Sequence, residues 1–115
     1  MAVYRATARR RWARERQALA ERRERAWELA RNAAALLRTE FGAGQVTAFG
    51  SLVHPDRFDA RSDVDLAVRG LDERCYFRAV GRLLSLDPGI EVDLVMVEDA
   101  SDRLRDTVER EGVPL

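Results

Sequence analysis

One hundred and fifteen residues, with 20 basic side chains (all Arg) matched by 20 acidic ones, predict a single domain and exclude a strongly basic or strongly acidic protein. No run approaches the roughly 20 apolar residues of a membrane span, the N-terminus is too rich in Arg for an export signal, and the one cysteine, Cys75, cannot form an internal disulfide, so a cytoplasmic protein is expected. The zero net charge conceals a division: residues 1–40 carry eleven Arg against five acids (+6), and residues 41–115 carry nine Arg against fifteen acids (−6).

From residue 3 to about 39 the chain has no Gly or Pro and is dense in Ala, Arg, Glu and Leu, which predicts one long helix or two abutting ones. From Ala26 onward, Ala26, Trp27, Ala30, Ala34 and Leu37, with Leu29, Ala33 and Leu36 alongside, form a broad apolar stripe that should pack on a sheet. Before it, only Trp12 and Leu19 are large and apolar among many Arg, so residues 1–25 read as a basic helical arm and 26–115 as the folded domain. The arm has two readings: a solvated helix laced with pairs such as Glu21 with Arg25, or a binding surface for a partner, in which Trp12 is an interface anchor. Partner or solvent is preferred to nucleic acid, because no aromatic platform or nucleic-acid motif accompanies the charge.

Gly42 and Gly44 should end the helix. A strand from Val46 to Phe49 follows, then Gly50-Ser51, where Gly50 lets backbone approach a ligand and Ser51 can cap the next turn while offering its N–H and hydroxyl to an anion. Pro55 limits any helix there to about one turn, Phe58 is placed to pin the loop, and His54 is taken as a loop residue. The next strand, DVDLAV, carries Asp63 and Asp65 on one face while Val64, Leu66 and Val68 bury the other. Two carboxylates this close repel each other unless a cation intervenes, and Mg²⁺ suits one or two carboxylates together with water and substrate phosphate.

Gly70 closes that strand, and Asp72 should cap a helix running to about Ser85 with Phe77, Val80, Leu83 and Leu84 as its apolar face. After a turn at Asp87-Pro88-Gly89, a third strand from Ile90 to Val97 sets Val92, Leu94 and Met96 on one face and Glu91, Asp93 and Val95 on the other. A last helix, about Ala100 to Arg110, presents Leu104 and Val108; Gly112 ends it and leaves Val113-Pro114-Leu115 as a tail. The sum is an α/β (α+β) domain with a small three-stranded sheet flanked by helices.

Gly50-Ser51, then Asp63-Val64-Asp65 after eleven intervening residues, then Asp93 in an EVDLV strand, in the order strand, turn, strand, helix, strand, resembles the minimal nucleotidyltransferases of the DNA polymerase beta superfamily over about residues 26–112. The resemblance implies a nucleotidyltransferase fold with a mixed sheet, and an antitoxin whose partner is a HEPN-domain ribonuclease toxin. The activity it implies is transfer of AMP from ATP onto a tyrosine hydroxyl of that toxin. Carried across, Gly50 and Ser51 would hold the phosphates, Asp63 and Asp65 would bind two Mg²⁺, and Asp93 would complete the metal site nearest the nucleophile and help deprotonate the incoming hydroxyl. Where many members place an Arg-containing turn after Gly-Ser, this chain has Leu52-Val53-His54-Pro55, so no phosphate-binding Arg is carried over and Arg57 and Arg61 stay outside the site. A reading of a different class is a non-catalytic antitoxin that masks its HEPN partner through the Arg-rich helix.

Overall fold

Forty consecutive residues free of Gly and Pro form one uninterrupted helix, α1 (Ala2–Phe41), in the computed structural model, which describes residues 2–115. At 1.5 Å per residue such a helix is about 60 Å long, and it sets the longest dimension of the molecule, 61 × 29 × 18 Å. The radius of gyration, 17.0 Å, exceeds the roughly 13 Å of a compact chain this size, because the first half of α1 stands away from the rest. Gly42, at φ +67°, reverses the chain: its N–H donates to Arg38 O and that of Ala43 to Leu37 O, an αL helix end.

The sheet contains β1 (Val46–Phe49), β2 (Val64–Val68), β3 (Val92–Met96) and β4 (Val113–Pro114), in the spatial order β3-β2-β1-β4. Strands β1 and β2 are antiparallel, β2 and β3 parallel, and β4 antiparallel to β1, so the sheet is mixed. It has four strands rather than three: Val113 and Pro114, expected as a tail, pair with Ala48 and Thr47, and the N–H of Leu115 donates to Val46 O. Pro114 lacks a donor and is tolerated at such an edge. The connection between the parallel neighbours β2 and β3 runs through α2 (Tyr76–Leu84), a crossover that is right-handed as a rule.

One sheet face carries Val46, Ala48, Val64, Leu66, Val68, Val92 and Leu94, which pack against Ala26, Leu29, Ala30, Ala33, Ala34 and Leu37 of α1 and Ala79 and Leu83 of α2. The other carries Phe49, Ala67, Val95 and Val97 beneath Leu104 and Val108 of α3 (Asp102–Glu111), whose start is capped by the Ser101 hydroxyl accepting from Leu104 N at 3.2 Å. Phe58 is buried and does pin its loop.

Two helical details depart from the sequence reading. Asp72 caps not α2 but a 3₁₀ turn, Glu73–Cys75, its carboxylate accepting from Arg74 N at 2.9 Å. The tighter 3₁₀ winding, about 120° per residue instead of 100°, rotates the helix that follows. Ala79 and Leu83 then face inward, and Phe77 and Leu84, expected on the buried face, are exposed. On α1, Arg25 pairs with Asp87 rather than Glu21, while Glu21 accepts from Gln17 Nε2 at 3.1 Å. Arg22 donates to Gly89 O and Ser62 O, both at 3.2 Å, so contacts with the body begin near Leu19 and Arg22, and the projecting part is the stretch before them.

Candidate active site

The site is built where β1 ends and β2 begins. The register sets Phe49 opposite Asp65 and Asp65 opposite Asp93, so residue 50 and the two carboxylates meet at one corner of the sheet, on the face that α3 covers further along. Neighbouring strands lie about 4.8 Å apart, which makes Asp65 and Asp93 direct neighbours on adjacent strands. Asp63 stands one residue ahead of β2, half-buried, and Asp93 is exposed.

Gly50 is required at this corner. Its φ is +75°, a region other residues rarely adopt, and a methyl group placed on it would collide with Asp65 Oδ2. The backbone can therefore press against the Asp65 carboxylate only because residue 50 has no Cβ. Residues Gly50–Val53 then form one 3₁₀ turn, the single turn that Pro55 allows. The turn's cap position is Phe49, and no side chain caps it. Ser51, expected to cap, lies inside the turn instead; its carbonyl accepts from His54 N at 3.1 Å, and its hydroxyl is not spent on capping.

What fixes this turn is a contact from α1 that no local sequence pattern announces. Arg23 of α1 donates twice, through Nε at 3.2 Å and Nη2 at 2.7 Å, to the carbonyl of Leu52, whose side chain is fully buried. Residues on either side of Ser51 are thus anchored, Gly50 against Asp65 and Leu52 to Arg23. His54 Nε2 lies 3.6 Å from Glu111 Oε1 at the end of α3, consistent with a loop residue.

Burial pushes the Asp65 carboxyl up to about 6, and the neighbouring charges of Asp93 and then Asp63 add to the rise. Ionising all three acids at this corner is therefore unfavourable unless positive charge arrives with a ligand. Among the described residues, no three His, Cys, Asp or Glu side chains converge tightly enough to enclose an ion, so a closed three-carboxylate cage is not formed. The donor set still fits Mg²⁺, a hard cation that takes one or two carboxylates and completes its shell with water and substrate phosphate. Asp65, flanked by Asp63 and Asp93 and held above the ordinary carboxylate range, is the group a cation would relieve most. No helix among the described residues is long and apolar enough to cross a membrane.

No family model matches the chain, and no curated protein matches it. Solved structures do. The chain is 33% identical to a protein assigned to the minimal nucleotidyltransferases, covering 86% of this chain and 94% of that one at a TM-score of 0.50. It is 26% identical to a chain of a toxin–antitoxin crystallised with AMP-PNP, covering 72% of this chain and 69% of that one at a TM-score of 0.60. A mutant of the toxin–antitoxin MntA–HpeT is similar at the same identity and TM-score, over 74% of this chain and 70% of that one.

Proposed function

Because the chain belongs to the minimal nucleotidyltransferases, we propose that it is an antitoxin that transfers AMP from ATP onto a tyrosine hydroxyl of a HEPN-domain toxin. The observation that carries this reading is the corner itself, where Asp65 sits in register with Asp93 and against Gly50. It is further supported by the similarity to a toxin–antitoxin holding AMP-PNP, a non-hydrolysable ATP analogue.

In this reading Gly50 and Ser51 hold the nucleotide's phosphates, with the Ser51 hydroxyl and the turn's N–H groups as donors. Asp63 and Asp65 hold Mg²⁺, and the donor chemistry fits because the crowded acids need positive charge. Bound Mg²⁺ would supply charge neutralisation at the attacking hydroxyl oxygen and on the pyrophosphate that leaves as the tyrosine O–P bond to AMP forms. Asp93, on the outermost strand and exposed, faces the incoming hydroxyl and accepts its proton. Arg23 is a positioning residue, keeping the turn around Ser51 in place through Leu52 O. Most of the catalysis is then orientation and electrostatics rather than covalent chemistry by the protein.

The test pairs ATP affinity with single-turnover transfer to the HEPN partner, for the parent and Asp93→Asn. The parent should label the partner, and the variant should bind ATP normally but transfer orders of magnitude more slowly. A parent that never labels the partner overturns the reading; full transfer by the variant removes Asp93 from it. A second reading, masking of the toxin by the arm, draws on Trp12, which is 60% exposed, and on Val3 and Tyr4, also exposed amid six Arg between residues 5 and 16.

A further inference from the structure

Strand β3 forms one open edge of the sheet, and α2 lays two aromatic side chains beside it. The N–H of Val64 donates to Glu91 O, so the backbone groups of alternate residues (Val92, Leu94, Met96) face away from β2. One of these outward carbonyls, Leu94 O, is already taken by the Tyr76 hydroxyl at 2.7 Å. Continuous strand addition along this edge is therefore interrupted at Leu94, which favours docking through side chains.

What the edge offers side chains is an open cavity of about 380 Å³, walled by Tyr76, Phe77, Val95 and Met96 and rimmed by Glu73 and Asp99. Phe77 stands edge-on to Tyr76, ring centres 5.4 Å apart, and is 85% exposed. Leaving a Phe in water forgoes the gain of burying its ring, and beyond the edge contact with Tyr76 nothing among the described residues covers it. Glu73 and Asp99 are not in ion pairs among the described residues. Val95 lies two residues beyond Asp93 on the same strand and the same sheet face, about 7 Å along it. The groove thus begins where the proposed acceptor hydroxyl would arrive.

We propose that this groove docks the acceptor protein, receiving an apolar or aromatic side chain flanked by Arg or Lys close to the hydroxyl that Asp93 meets. The inference rests on the adenylyl-transfer reading above. Charge decides the class of occupant: the two free rim carboxylates attract a basic polypeptide segment and repel nucleic acid or a second nucleotide. Docking at this edge leaves Gly50 and Ser51, on the other side of β2, open to ATP.

The experiment uses the full chain with the HEPN-domain protein as probe and compares the parent with Phe77→Ser and Glu73→Lys. Both side chains are exposed, so melting temperature and ATP affinity should be unchanged. Partner affinity should fall, and KM for the partner in transfer should rise by about tenfold or more, with the rate at saturating partner nearly preserved. Unchanged partner binding and unchanged KM in both variants would overturn the groove. A parent that binds the partner without labelling it would overturn the transfer reading alone, and the loss of partner binding in the two variants would then decide for or against the groove.

Discussion

Replacing Asp65 by Asn should stabilise the ligand-free protein at neutral pH. In the folded chain the Asp65 carboxyl titrates near 6, against 3.8 for the unperturbed group, because it is desolvated and faces Asp93 and Asp63. The folded state therefore binds more protons than the unfolded state between those values. Stability falls as pH rises through that window, and the full penalty is present above pH 6. A shift of about two pKa units corresponds to roughly 3 kcal/mol as a ceiling; allowing for the solvent that still reaches this half-buried group, about 1–2 kcal/mol is expected. Asn is nearly isosteric and uncharged, so it removes the penalty without opening a cavity. The assay is thermal unfolding of parent and variant in chelator. At pH 8 the variant should melt roughly 4–8 °C higher, and at pH 4 most of that difference should vanish. A variant less stable than the parent, or a difference that does not depend on pH, would refute the reasoning. The gain should also come at the cost of Mg²⁺-dependent ATP binding, the usual exchange of stability for function at a strained site.

Gly50→Ala should lower stability by about 1–2 kcal/mol, because its methyl group meets Asp65 in a backbone region disfavoured for Ala, and should weaken ATP binding in calorimetry. Deleting residues 2–18 should leave the melting temperature nearly unchanged while weakening partner binding, whereas extending the deletion to residue 23 should lower it, since Arg22 and Arg23 hold three backbone carbonyls of the body. Asp87 is held down to about 2 by the Arg25 guanidinium and the Gly89 N–H, so its stabilisation is complete above pH 3.8 and lost as pH falls through 2. Arg25→Ala should accordingly be less stable than the parent in urea at pH 7 and should converge with it near pH 2.

The parts of the fold that were legible in the sequence are those whose apolar residues repeat with a clear period. The stripe from Ala26 to Leu37, the alternation in Val64–Val68 and Val92–Met96, and the pair Leu104 and Val108 all lie where that period sets them. Strand β4 was not legible because two residues, one of them Pro, carry no periodicity; their pairing is decided by the open edge of β1. Phe77 was misplaced because a three-residue 3₁₀ turn changes the phase of a helix without changing its composition. At the site, the sequence supplied the residue types and their order, while the inequality of the acids came from the structure. Asp65 is in the strand against Gly50, and Asp63 lies just before it. Arg23 could not have been separated from its neighbours, since its role depends on a carbonyl 29 residues away and not on anything local.

The measurement that bears most directly on the proposed activity is intact-mass spectrometry of the chain and a HEPN-domain protein, its proposed partner, after incubation with ATP and Mg²⁺. The partner should gain the mass of one or more AMP groups on tyrosine, and the gain should disappear when Asp65 is replaced by Asn. A partner of unchanged mass, in a complex that nonetheless forms and binds ATP, would contradict adenylyl transfer and favour the masking reading instead.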